Sequence, residues 1–212
     1  MTTTVTAVER TRAVRTARRL NVATIGWNVA EAAVAIGAGL SAGSISLLAF
    51  GLDSCVEASA AVVLSWRLAR ERRDDCRQPD DRVATRALAI SFFALATYVA
   101  VVSVRALVQA DEPRVSAVGM VLAALSLLLM PQLARAKRRL APVLGSRAQA
   151  QEARQTQLCA VLSAVVLGGL GLNALLGWWW ADPAAALVVA GIAAVEGVRS
   201  WRATSLEDTC CA

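Results

Sequence analysis

The chain has 212 residues, 57% of them hydrophobic and 18% charged, with a mean hydropathy of +0.52, whereas soluble domains run about 25% charged and roughly half apolar. Its net charge of +6 comes from 22 Lys and Arg, all but Arg105 and Arg114 gathered in four clusters: residues 10–19, 67–86, 135–154, and Arg199 with Arg202. Basic clusters that alternate with charge-free turns are the positive-inside signature of a polytopic membrane protein, which excludes a nucleic-acid surface, an ordinary soluble enzyme and a secreted disulfide scaffold.

Neither Leu20 to Trp66 nor Gln155 to Val198 contains a Lys or Arg. As helix, each stretch exceeds twice the roughly 30 Å hydrocarbon core and must fold back on itself. The apolar runs predict an all-α fold of six transmembrane helices. The first runs from Leu20 to about Gly39 and breaks at small residues that permit a tight reversal, Gly37 to Gly39 and Ser41 to Ser44. The second covers Ile45 to Leu68. The third, Ala87 to Gln109, stops at Asp111-Glu112-Pro113, where proline cannot continue the hydrogen bonding. The fourth covers Ser116 to Leu133, the fifth Glu152 to Leu176, and the sixth Pro183 to Val198, after Trp178-Trp179-Trp180 at a headgroup-level turn. An even number of spans puts both termini on the arginine-rich, cytoplasmic side, with turns near Gly39, Pro113 and Trp179 outside. Residues 1–19 read as a basic cytoplasmic tail, 20–201 as the membrane domain, and 202–212 as a short Cys-containing tail too small to fold alone. No cleavable signal peptide is expected.

Acids inside a bilayer need a partner. Glu31 falls mid-span in the first helix, with Asn28 one turn earlier. Asp53 and Glu57 follow in the second helix at i, i+4, which sets both on one face. Two carboxylates so close cannot both stay ionised in a dry site; they bind a cation, share protons or meet a positive partner. No Lys or Arg is expected at that depth, which leaves a mobile cation or protons. The fifth helix supplies another i, i+4 pair, Gln155 and Cys159, whose amide oxygen and thiolate are plausible ligands for a divalent ion. Gly168-Gly169-Leu170-Gly171 offers close helix approach. Cys76, Cys210 and Cys211 fall on the reducing side beside acids, as a solvated charged segment or a loose metal-collecting patch.

The second span, Ser44-Ile-Ser-Leu-Leu-Ala-Phe-Gly-Leu-Asp53-Ser-Cys-Val-Glu57, resembles the second transmembrane helix of the cation diffusion facilitator family, where an S-x-S start leads to a D-x-x-x-D metal pair. The fifth span and Trp178-Trp-Trp-Ala-Asp182-Pro183 are similar to that family's fifth helix and approach to the sixth. The resemblance covers about Leu20 to Trp201 and looks like a short branch of the family. It implies a homodimer and assigns Asp53, Glu57, Gln155 and Cys159 as metal ligands, with Glu31 and Asn28 accessory or proton-coupling. The family's fifth-helix pair is usually His and Asp, but this chain has no histidine, and the family's cytosolic sensing domain is not expected here.

The expected function is that of a secondary transporter, not an enzyme. It would export divalent metal, zinc foremost, from the cytoplasm across a cell inner (plasma) membrane by proton antiport; manganese, iron, cobalt and cadmium also suit the mixed ligand set. It would need no cofactor other than its cargo, and its partners would be membrane lipid, the metal ion, protons and a second copy of itself. The alternative is a non-transporting membrane scaffold or regulator with the same fold. A carrier of organic cations would want more aromatics near Asp53 than the chain supplies.

Overall fold

The computed structural model describes residues 7–71, 81–144 and 147–202, with side chains at 12–62, 86–144 and 152–202. Among the described residues the chain is all-helical. Its elements are α1 (Ala7–Ala42), α2 (Ile45–Glu71), α3 (Asp81–Gln109), α4 (Ala117–Leu144), α5 (Arg147–Leu176) and α6 (Ala181–Arg202). All six are long and apolar enough to cross a bilayer, so this is a multi-pass membrane protein. Valines and leucines such as Val22, Val29, Val104 and Leu128 point outward. That is the surface a lipid-facing bundle presents.

Three short connections gather at the end opposite the arginine clusters. The α1–α2 reversal uses Gly43 at φ 69°, with Ser44 N–H donating to Gly39 O at 3.0 Å. A residue without Cβ adopts that left-handed geometry at little cost. Helix α3 ends at Gln109, and Ala110, at φ 54°, leads directly into the Asp-Glu-Pro break. Arg114 N–H then donates to Ala42 O at 2.8 Å and Asn173 Nδ2 to Pro113 O at 3.0 Å, fastening the connections together. Beside the α5–α6 turn, Trp178 and Trp180 stack with ring centroids 5.3 Å apart.

Ser44 caps α2, its Oγ accepting from Leu47 N–H at 3.2 Å. The same hydroxyl donates to Asp182 Oδ1 at 2.6 Å, and Ser46 Oγ donates to the same oxygen. Asp182 Oδ2 accepts from Ile45 N–H at 2.8 Å. One fully buried carboxylate at the start of α6 therefore also serves the open N–H groups at the start of α2.

Packing relies on glycines where helices cross. A Cβ on Gly51 would sit 2.8 Å from Ile36 of α1, and one on Gly169 would sit 2.6 Å from Ala185 of α6. Gly168 and Gly171 face open space, so within the expected glycine stretch Gly169 makes the close approach. Leu47, Phe50, Phe92, Val99, Met130, Val166 and Val189 fill the core between the helices.

Helix α4 departs from the expected span. It does not stop at Leu133 but continues through Pro131 and Pro142 to Leu144. Its buried stripe, Gly119, Leu122, Ala123, Ser126, Met130, Ala134, Lys137 and Ala141, keeps helical spacing throughout. Lys137 lies on that stripe, while Arg135, Arg138 and Arg139 do not.

Candidate functional site

The bundle buries an unusual set of polar groups at mid-depth. Glu31 of α1 is fully buried. Ser54 Oγ of α2 donates to its Oε2 at 2.9 Å, Cys159 Sγ of α5 approaches the same oxygen at 3.7 Å, and Trp27 Nε1 lies 3.4 Å from Oε1. Ser126 of α4 stands beside the carboxyl without hydrogen-bond geometry. Four helices thus converge on one carboxyl group. They do so because α1 and α2 form a hairpin whose small residues permit close contact, and α4 and α5 pack as a second hairpin against it.

Asp53 and Glu57 are both buried on α2, at 4% and 3% exposure, as the i, i+4 spacing predicts. Asp53 faces the charges of Glu31 and of Glu196 on α6, while Glu57 faces Asp53, Lys137 and Glu31. The Cys159 thiol also lies beside the Glu57 carboxyl. Glu57 Oε2 and both amide atoms of Asn28 have no hydrogen-bond partner among the described residues. The structure therefore brings together Glu31, Asp53, Glu57 and Cys159, with Asn28 one turn away on α1.

Gln155 does not join them in the same way. It is half-buried, because the inward stripe of α5 passes through Ala153, Thr156, Cys159, Ala160 and Ser163. The inward residue one turn before Cys159 is Thr156. Cys55 is exposed on α2. Cys76, Cys210 and Cys211 lie outside the described residues.

The expectation that no basic side chain reaches this depth is overturned. Lys137 is fully buried. Its Nζ lies 3.2 Å from Glu152 Oε2 and donates to Thr156 Oγ1 at 3.2 Å. The continuing helix α4 carries it inward, and the long stem lets the ammonium reach α5. One signal was available beforehand: Lys137 is the single lysine of the chain, set among arginines. Asp182 was placed at the α5–α6 turn by sequence, but its role as a shared cap for α2 depends on tertiary contact.

Chemically, three carboxyl groups and a thiol within about one helical turn of each other can exchange protons or surround a small cation, and one ammonium lies within electrostatic reach of Glu57. Among the described residues no group of three or more His, Cys, Asp or Glu side chains is already drawn together tightly enough to hold a metal ion. A cavity of about 260 Å³ lies elsewhere, at the loop end, lined by Arg105, Asp111 and Asp182. The chain matches no profile of a known protein family, and no curated protein matches its sequence.

Proposed function

We propose that the protein is a secondary transporter that exports divalent metal cations, zinc foremost, from the cytoplasm in exchange for protons. The observation that carries this reading is the burial of Glu31, Asp53, Glu57 and Cys159 within about one helical turn of each other in a membrane bundle. Buried acids in a bilayer ordinarily mark an ion or proton pathway. The resemblance of the Ser44–Glu57 segment to the cation diffusion facilitators points the same way, and it adds cytoplasmic termini, a plasma-membrane location and a homodimer to the proposal.

Carboxylates and a thiolate coordinate metal only when deprotonated, so loading the site releases protons. Asp53 and Glu57 are the primary ligands in this scheme. Glu31, held by Ser54, is placed to take up or return a proton, and Cys159 supplies the soft donor. Rocking of the α4–α5 hairpin against α1 and α2 would separate Cys159 from the acids and release the cargo. Substrate choice rests on the thiolate, which favours zinc and cadmium over manganese.

A second reading, a non-transporting scaffold or regulator, draws on Lys137, whose charge acts on Glu57 and offers a resident counter-ion. One experiment separates the two. Purified protein is reconstituted in liposomes, and uptake of zinc, cadmium and manganese is followed together with internal pH. Transport predicts metal flux coupled to proton movement, its loss in Asp53→Asn, and a selective loss of zinc and cadmium in Cys159→Ser. Zinc flux that is undiminished in Asp53→Asn refutes the mechanism, and absence of any flux in the parent protein favours the scaffold.

A further inference from the structure

The buried polar groups of the bundle are arranged unevenly along its axis. Glu31 marks a reference level, because Ser54 of α2, Cys159 of α5 and Ser126 of α4 all lie beside it. From that level toward the arginine-rich end, α1 buries Asn28, Thr24 and Asn21 at 0%, 0% and 5% exposure. Steps of three and four residues keep them on the Glu31 face. At 1.5 Å per residue the file from Asn21 to Glu31 is about 15 Å long, half of a roughly 30 Å hydrocarbon core. Glu57 of α2 and Thr156 of α5 each stand three residues from the Glu31 level in the same direction, which sets them at the height of Asn28. Toward the loop end the same four helices bury only hydrocarbon over the next two turns apart from Asp53, one residue from the Glu31 level, and Ser163, whose hydroxyl is satisfied by Cys159 O. Ala35, Leu47, Phe50, Ala123, Leu162 and Val166 form that layer.

Burial alone does not call for a ligand, but the bonding state does. Thr24 Oγ1 is satisfied by Leu20 O at 2.9 Å. Neither amide atom of Asn28, nor Asn21 Oδ1, nor Glu57 Oε2 has a hydrogen-bond partner among the described residues. Buried amides and carboxylates in that condition are normally completed by water or an ion. Apart from Ser103 on α3, every buried side-chain atom so orphaned lies at the Glu31 level or on its arginine-rich side.

We propose that Asn21, Thr24 and Asn28 line a hydrated file that opens at the arginine-rich end of the bundle, stops at Glu31, and passes small hydrated cations. The inference takes its cargo from the transport reading above, but its geometry stands without that reading. Neutral amide and hydroxyl oxygens replace part of a cation's water without holding it, while the carboxylates beyond them do hold it. The apolar layer on the far side excludes water, so hydration is one-sided.

The test is side-specific thiol labelling of the full-length protein in oriented membrane vesicles. Asn21→Cys, Thr24→Cys and Asn28→Cys are exposed in turn to a permanently charged methanethiosulfonate reagent. The modified position is located by fragment-ion mass spectrometry; the described part of α1 has no native cysteine, so all five can stay. Val22→Cys and Val29→Cys report the outward surface, and Ala35→Cys the apolar layer. From the arginine-rich side the three file positions should react at least about tenfold faster than all three controls, because both the charged reagent and the reacting thiolate require water. From the opposite side they should not react. Rates at the file positions no faster than at Val29→Cys, or reaction from both sides, overturn the file even if metal flux is intact. Fast one-sided labelling in a protein that moves no metal upholds the file and removes the transport reading instead. Three independent positions keep the test decisive if one variant fails to insert.

Discussion

Replacing Lys137 with methionine removes an ammonium and keeps an unbranched stem of similar length. In the parent protein that ammonium is fully buried, 3.2 Å from a Glu152 carboxylate whose side chain is 10% exposed, and 3.2 Å from Thr156 Oγ1. The variant leaves the carboxylate buried with no partner. Breaking a buried pair from one side costs about 3–5 kcal/mol, because the remaining charge is desolvated without compensation. At about 2–4 °C per kcal/mol for a chain of this size, Lys137→Met should lower the melting temperature by roughly 6–20 °C. Removing both charges in Lys137→Met/Glu152→Met should cost less than the single change, since no orphaned ion remains. The measurement is thermal unfolding in one detergent at fixed protein concentration, with Glu152→Met completing the cycle. A single variant melting within about 2 °C of the parent, or a double variant melting below the Lys137→Met variant, would refute a stabilising buried pair.

Asp182→Ala strips the acceptor from two hydroxyls and from the first N–H groups of α2; with each unsatisfied group costing about 1–3 kcal/mol, it should destabilise by several kcal/mol in the same melting assay, and Asp182→Asn by less. Gly169→Ala, whose Cβ would meet Ala185 at 2.6 Å, should cost about 1–3 kcal/mol. Gly168→Ala, facing open space, should melt like the parent or above it; equal losses at both positions would show that the α5–α6 crossing is not the cause. In the liposome assay Glu31→Gln should remove proton-coupled flux while Gln155→Ala leaves most of it, and the reverse order would move the site toward the half-buried face of α5.

Much of this architecture was legible because hydrocarbon thickness and charge clustering act on long stretches of sequence. The expected breaks at Ser41–Ser44, Asp111-Pro113 and Trp178-Pro183 each contain or adjoin a turn, whereas Gly37–Gly39 stays helical within α1. The spacing of Asp53 and Glu57 told which face they share, because both are on one helix. The end of α4 is not legible from hydropathy, because the apolar run gives way to basic residues after Leu133 while the inward stripe of Ala134, Lys137 and Ala141 continues the helical period. The i, i+4 spacing to Cys159 points to Gln155, yet the rotation of α5 is set by contacts with α4 and α6 that the α5 segment does not encode alone. Asn21 and Thr24 are inconspicuous in the sequence for the opposite reason. Single neutral polar residues near the head of a span are common, and only burial beside unpaired neighbours sets them apart.

Ser44 and the aspartate that meets it are separated by 138 positions in the chain. At about 5–20 residues per second, a ribosome delivers Asp182 roughly 7–28 s after Ser44. During that interval the head of α2 has no carboxylate, and its free N–H groups remain with water or lipid headgroups. The first hairpin therefore waits in the bilayer unfinished, and the helix that carries Asp53 and Glu57 is closed off only when the last helix arrives. A nascent chain that stops short of α6 leaves the head of α2 without this acceptor.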